Sequence, residues 1–231
     1  MAAFVCRKLS VAYGGRDALC GVNFELPLGA FLAIVGENGS GKSTLVKALL
    51  GLVKPSGGEV MLSGGISRKD IGYMPQQRET RGDFPATVYE IVLSGRLAHI
   101  GLRPFYSGRD HSEAEKNLRR LGIWELRTKA YRELSGGQQQ RTLLARSLCA
   151  ARAALLLDEP FASLDAETDR RLYSTLSSIN REEGTTVVMV THDREHAASC
   201  ATHILELNDG RQLYFGPGRP WFQDREGDKN V

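Results

Sequence analysis

The stretch GENGSGKST, Gly36 through Thr44, separates two apolar segments of different period. Before it, AFLAIV (Ala30 to Val35) is a continuous apolar run of strand length. After it, LVKALLGL is apolar at helical spacing, so a helix is predicted from about Lys42. The loop is therefore a strand-to-helix turn, and it satisfies GxxxxGK(S/T) throughout. A chance glycine-rich turn has no reason to carry both flanks. A buried strand that feeds a helix in this way predicts an α/β fold.

The composition of the loop suits a polyphosphate. Gly36, Gly39 and Gly41 let backbone N–H groups curl around an anion, and the helix turns the positive end of its dipole to the same place. Asn38 and Ser40 complete the candidate nucleotide-binding loop. Lys42 would reach the outer phosphates. The Ser43 hydroxyl would go to Mg²⁺, and the Thr44 hydroxyl could bond a phosphate oxygen.

A phosphate cradle needs a carboxylate to hold its metal, and AALLLDEP (Ala153 to Pro160) offers one. The apolar residues predict a buried strand with Asp158 at its end. Parallel α/β sheets bind ligands at the carboxyl ends of their strands. Asp158 would hold Mg²⁺ through water. Glu159, turned in another direction, would polarise an attacking water as a general base. Taken alone, an Asp-Glu pair before proline reads as a solvated turn.

A third segment, ELSGGQQQR (Glu133 to Arg141), opens the apolar-periodic helix TLLARSLCA with Ser-Gly-Gly. It is a second anion-binding helix start, and one ATP does not need two such cradles from one subunit. With these residues the whole chain resembles an ATPase subunit of the ATP-binding cassette (ABC) transporter family. The resemblance implies that Ser135, Gly136, Gly137 and Gln138 of one subunit cap the γ-phosphate held by the loop of another. Two ATP molecules would then lie between two head-to-tail copies.

Further positions are similar to the family's motifs. Tyr13 in VAYGG matches the aromatic that stacks on adenine. Gln76, ending IGYMPQ, matches the glutamine loop, a catalytic and Mg²⁺-contacting position; Gln77 follows at once and leaves a second register open. Asp165 in ASLD matches the residue that faces the partner subunit. His192 in VVMVTHD matches the switch histidine, which contacts the γ-phosphate and helps hold the attacking water. The resemblance thus implies a competent ATPase with ATP and Mg²⁺ as cofactors.

The implied fold is a P-loop NTPase (RecA-like) core with an N-terminal antiparallel β subdomain and an inserted helical subdomain. Residues 1–76 and 136–231 would form the core and β subdomain, and 77–135 the helical subdomain of one cassette. TVYEIVLSGRLA and HSEAEKNLRRLGIWEL have helical spacing, and IGLRPFYSGRD between them reads as a loop. Short alternating strands are expected before residue 75. A strand at ALLLD, a helix at ETDRRLYSTLSSINREE, a strand at TVVMVT and a hairpin at Asn208 to Gly210 follow the signature. The tail GRPWFQDREGDKNV is polar and expected to fray.

Composition narrows the partners. The 231 residues carry a net charge of only +3, too little to argue for nucleic acid. No apolar run approaches the ~20 residues that span a bilayer, and no signal peptide is expected. The chain is therefore expected at the cytoplasmic face of the membrane, as a peripheral protein bound to transmembrane permease subunits. Cys6, Cys20, Cys149 and Cys200 form no CxxC pair, and the histidines form no HExxH, which argues against structural zinc. FPATVYEIVLSGR and ELSGGQQQR are most similar to bacterial importers of zinc or manganese, which also implies a solute-binding protein as an indirect partner. Importers of siderophores and cobalamin have a related pattern. A soluble ABC protein acting on DNA or the ribosome lacks its usual features here: a coiled-coil insertion or a second cassette.

Overall fold

The apolar run before the glycine-rich loop folds as strand β3 (Phe31–Val35), and all five residues are buried. The computed structural model describes residues 1–76, 85–161, 166–193, 197 and 199–227. Its main sheet contains β3 with β5 (Ile71–Met74), β6 (Ala154–Asp158), β7 (Thr186–Val190), β8 (His203–Asn208) and β9 (Arg211–Pro217). The order is β5-β6-β7-β3-β8-β9. Strands β5 to β8 pair in parallel, and β9 closes the edge antiparallel to β8. Sheets of this kind are covered on both faces, which explains why FLAIV, ALLLD and TVVMV are continuous apolar runs and not alternating ones.

A second, three-stranded antiparallel sheet has the order β2-β1-β4. Its strands are β1 (Ala2–Tyr13), β2 (Arg16–Pro27) and β4 (Gly57–Leu62). Two of the strands expected to be short, β1 and β2, are long, with 12 residues each, whereas β3, β4 and β5 are short. The two-residue Gly14-Gly15 turn has positive φ at both positions, which matches the twist of the flanking strands and lets them pair along their whole length. The hairpin expected at Asn208 to Gly210 forms by the same device, with positive φ at Asp209 and Gly210.

Helix α1 (Lys42–Leu49) packs with both sheets in one core that includes Leu9, Leu19, Ile34, Leu45, Leu49 and Leu156. On the opposite face lie α2 (Val88–Ser94), α3 (Leu97–Ile100), α4 (Gly108–Arg120), α5 (Gly136–Ala150) and α6 (Ala166–Glu183). Val92, Leu118, Leu144 and Leu176 join α2, α4, α5 and α6 to Phe31, Leu155 and Val187 of the sheet in a second core.

Three helical boundaries differ from expectation. The segment 87–98 is two helices: Gly95 approaches α5 so closely that a Cβ would lie 2.2 Å from the Arg146 carbonyl. Helix α4 starts before His111 because Ser107 and Asp110 form a capping box. It ends at Arg120, where the chain turns through Gly122 at φ +64°, and Trp124–Leu126 form a separate 3₁₀ turn. The polar tail is also more ordered than expected. Helix α7 (Gly218–Gly227) is held by Trp221, which is buried beside Ala33, Val35 and Ile204. Its Nε1 donates to the buried Glu206 Oε2 at 3.0 Å.

Candidate nucleotide site

The loop after β3 is shaped by close backbone approaches. A Cβ on Gly36 would lie 2.1 Å from the Leu207 carbonyl, and one on Gly41 2.5 Å from that of Ala18. Gly41 also holds φ +96°, so glycine is required twice over. Gly41 is the N-cap of α1, and no side chain caps the helix there; its first turn has no acidic residue. The orphan N–H groups of the first turn therefore face a loop suited to an anion. The buried Ser40 Oγ has no hydrogen-bond partner among the described residues. Asn38 is exposed and Thr44 half-buried in the same loop and first turn.

Lys42 is buried, and its Nζ donates to the carbonyls of Gly36 (2.8 Å) and Glu37 (2.7 Å). Burial pushes its pKa below the ordinary lysine value, while Glu159 and Asp158 oppose that shift. The loop carbonyls thus hold the ammonium at the mouth of the cradle.

Strands β6, β7 and β3 are neighbours, so their carboxyl ends form one edge. Asp158 pairs with Val190 there, and Val190 pairs with Ile34. This brings residues from distant parts of the chain to the loop. The Ser43 hydroxyl donates to Asp158 Oδ1 at 3.2 Å. Asp158 is buried, and burial raises its pKa against the hydrogen bond from Ser43; Glu159 raises it further, and Lys47 and Lys42 lower it. A buried carboxylate beside a hydroxyl offers hard oxygen donors, the set that Mg²⁺ takes.

Glu159 has φ +52°, a left-handed conformation that is costly for a residue with a Cβ. Its N–H donates to the Val190 carbonyl at 3.1 Å, which holds the turn. The carboxylate accepts from Gln76 Nε2 at 2.7 Å and from His192 Nε2 at 2.5 Å. Three of the expected catalytic residues, Gln76, Glu159 and His192, therefore meet on one carboxylate. Glu159 is largely shielded, with 14% of its side chain exposed, whereas His192 is 47% exposed.

Tyr13 and Ser135 to Gln138 are the remaining expected residues among those described. Tyr13 ends β1 and is exposed. Ser135 caps α5 and forms a capping box with Gln138. Among the described residues, no hydrogen bond or ion pair joins Ser135, Gly136, Gly137 or Gln138 to the Gly36–Thr44 loop. Asp165 and Gln77 lie outside the described residues. The site also includes residues that sequence reasoning missed. Thr191 and Tyr173 line a cavity behind Glu159 and His192. Thr191 was legible only as the neighbour of His192, and Tyr173 carried no signal beyond an apolar helix position.

A glycine-rich loop between a central strand and a helix, with an acidic residue ending the strand two places away, defines a P-loop nucleotide-binding protein. The comparisons narrow this class. Residues 19–162 match the family model described as ABC transporter. Over 213 residues the chain is 38% identical to the manganese transport system ATP-binding protein MntB of Bacillus subtilis strain 168, covering 91% of this chain and 84% of that one. It superposes on an inward-facing structure described as a metal-chelate type ABC transporter with a TM-score of 0.84 and 32% identity, covering 95% of this chain and 85% of the other. It also superposes on a dimeric ATP-binding cassette in a post-hydrolysis state with ADP and Pi, with a TM-score of 0.79 and 29% identity over 94% of this chain and 99% of that one. The chain belongs to the ABC transporter family and is one of its ATPases. No helix among the described residues is long and apolar enough to cross a membrane.

Proposed function

We propose that this chain hydrolyses ATP to drive import of a metal ion through a separate membrane permease. The observation that carries the ATPase part is the Glu159 carboxylate held between Gln76 and His192. It lies at the strand edge that also bears the Gly36–Thr44 loop. The cargo part rests on similarity to the Bacillus subtilis manganese protein and to the metal-chelate type transporter. Manganese is the favoured ion, zinc the second. The metal-chelate relative gives some weight to a siderophore or cobalamin cargo.

In this account the loop amides and Lys42 bind the phosphates, and Thr44 bonds a phosphate oxygen. Ser43, Asp158 and Gln76 would hold Mg²⁺. When bound, that ion neutralises charge on the outer phosphates. Glu159 accepts a proton from the attacking water, and His192 orients that water and contacts the γ-phosphate. Gln76 and His192 keep the carboxylate aimed. Tyr13 stacks on the adenine; its exposure leaves the ring free to do so.

The separation of Ser135 to Gln138 from the loop supports a site completed by a second copy, with Asp165 at the shared boundary. The dimeric relative with ADP and Pi supports the same arrangement. ATP binding would then favour the closed head-to-tail dimer, and hydrolysis would release it. We further infer that 77–135 act as a helical subdomain that meets the permease, on the cytoplasmic face, with a solute-binding protein acting from the far side. Steady-state ATP hydrolysis by the purified chain, joined with radiolabelled manganese and zinc uptake in a deletion strain, tests this reading. Absence of turnover refutes the first part; unaltered uptake of both ions refutes the second.

A further inference from the structure

Behind the Glu159–His192 pair lies a cavity of about 130 Å³, lined by Phe161, Tyr173, Thr191 and Asp193 as well as by the pair itself. Tyr173 comes from α6, as does Asp169, which also lines the cavity, whereas Phe161 follows β6 and Thr191 and Asp193 follow β7. Tyr173 is 3% exposed and touches both catalytic turns. Its ring meets Phe161, two residues beyond Glu159, edge-on at 4.8 Å between centroids. Its hydroxyl lies 3.1 Å from Thr191 Oγ1, one residue before His192. That same Oγ1 accepts from the Asp193 N–H at 3.0 Å, one residue after His192.

The backbone on both sides of His192 is therefore tied to one hydroxyl, and that hydroxyl is tied to α6. His192 itself is exposed, and among the described residues its ring hydrogen-bonds through Nε2 to Glu159. The turn must supply its aim. Burial raises the Tyr173 pKa well above the ordinary phenol value, with Asp193, Asp169 and Cys200 acting in the same direction and the Thr191 hydrogen bond opposing. The group thus stays a neutral phenol able to share a hydrogen bond with Thr191.

We propose that Tyr173 is a positioning residue for ATP hydrolysis: through Thr191 it fixes the turn that aims His192 at Glu159 and the γ-phosphate. The inference rests on the assignment of His192 to hydrolysis. It makes α6 a lever on the water-activating pair, since a shift of that helix would pass through the Tyr173–Thr191 hydrogen bond to the turn that carries His192. An interaction of this size carries about fivefold in rate when it acts only on the aim of a catalytic group.

The test is a double-mutant cycle on the full chain with Mg-ATP. Tyr173→Phe keeps the ring on Phe161 and removes only the hydroxyl, so its fold is checked by a circular dichroism spectrum that matches wild type and a single cooperative melt. We expect kcat to fall about fivefold with KM for ATP within about twofold of wild type. Thr191→Val should lower kcat at least as much, and the double variant should be no slower than Thr191→Val alone. Wild-type kcat in Tyr173→Phe overturns the proposal. So do effects of the two substitutions that multiply, or a loss that appears in KM and not in kcat. His192→Ala separates this failure from that of the functional assignment: if it turns over normally, the assignment itself falls. If it is slow while Tyr173→Phe is normal, only the positioning role is lost.

Discussion

His192 Nε2 lies 2.5 Å from Glu159 Oε1, although 33 residues separate them. The pairing follows from sheet order: β6 and β7 are neighbours, and each ends at the edge where the phosphate loop begins. Glu159 adopts φ +52° to make it. Strain of this kind costs about 1–3 kcal/mol and persists where the surroundings hold it in place. Here the Val190 carbonyl, Gln76 and His192 do so.

His192→Ala is expected to slow ATP turnover by about a hundredfold and leave ATP affinity nearly unchanged. The side chain is exposed and bonds to the Glu159 carboxylate, not to the phosphate loop. Comparing kcat with an equilibrium dissociation constant for ATP checks this. Normal turnover removes His192 from the site.

Lys42→Ala should weaken ATP binding by about tenfold to a hundredfold, since a charge-assisted bond to phosphate is lost. The Gly36 and Glu37 carbonyls also lose their donor, so the loop loses its shape as well as its charge. Titration with a fluorescent ATP analogue measures the effect. An unchanged affinity contradicts the assignment of the loop.

The phosphate chemistry was legible because it is local. Gly36 to Thr44 are consecutive, and both flanks announce themselves by their period. Asp158 and His192 could be read as ends of apolar runs. The meeting of Gln76 with Glu159, 83 residues away, depends on strand order, which no window of sequence contains. Trp221 does not stand out because it and Phe222 are one short apolar pair in a polar tail, and the break at Gly95 depends on a carbonyl of another helix. Tyr173 looks like an ordinary core residue; only the fold puts its hydroxyl beside Thr191.

Asp110→Asn should destabilise the fold without touching the nucleotide site. Burial opposes ionisation of this carboxyl, but bonds from Ser107, the Arg96 guanidinium and the charge of Arg103 outweigh it and hold the pKa well below the usual range. Arg96 Nε donates to Asp110 at 3.0 Å, and both are buried. Leaving Arg96 without its counterion costs about 3–5 kcal/mol at neutral pH. Because the folded pKa is depressed, the stabilisation is complete above the ordinary carboxylate pKa and is lost as pH falls towards the folded one. Denaturant melts at pH 7 and at pH below about 4 should therefore differ, the gap between wild type and variant narrowing in acid. A gap that is absent at pH 7, or that widens in acid, contradicts this.

Glu159→Gln should trap an ATP-dependent dimer that Ser135→Arg abolishes. Gln keeps the size of the side chain and removes negative charge near the triphosphate, so ATP persists between the two copies. A bulky cation at the exposed start of α5 would block the surface that caps the partner's phosphate. Light scattering coupled to size exclusion, with and without Mg-ATP, reads the mass. A monomer at high ATP and high protein, also when the permease is supplied, contradicts the shared site.

In the proposed reaction Glu159 activates the water for ATP hydrolysis at this loop. Steady-state phosphate release by Glu159→Gln, at saturating Mg-ATP, tests it directly. The account predicts a fall of at least about a hundredfold, with ATP bound no more weakly than by wild type. Turnover within a few-fold of wild type would contradict it.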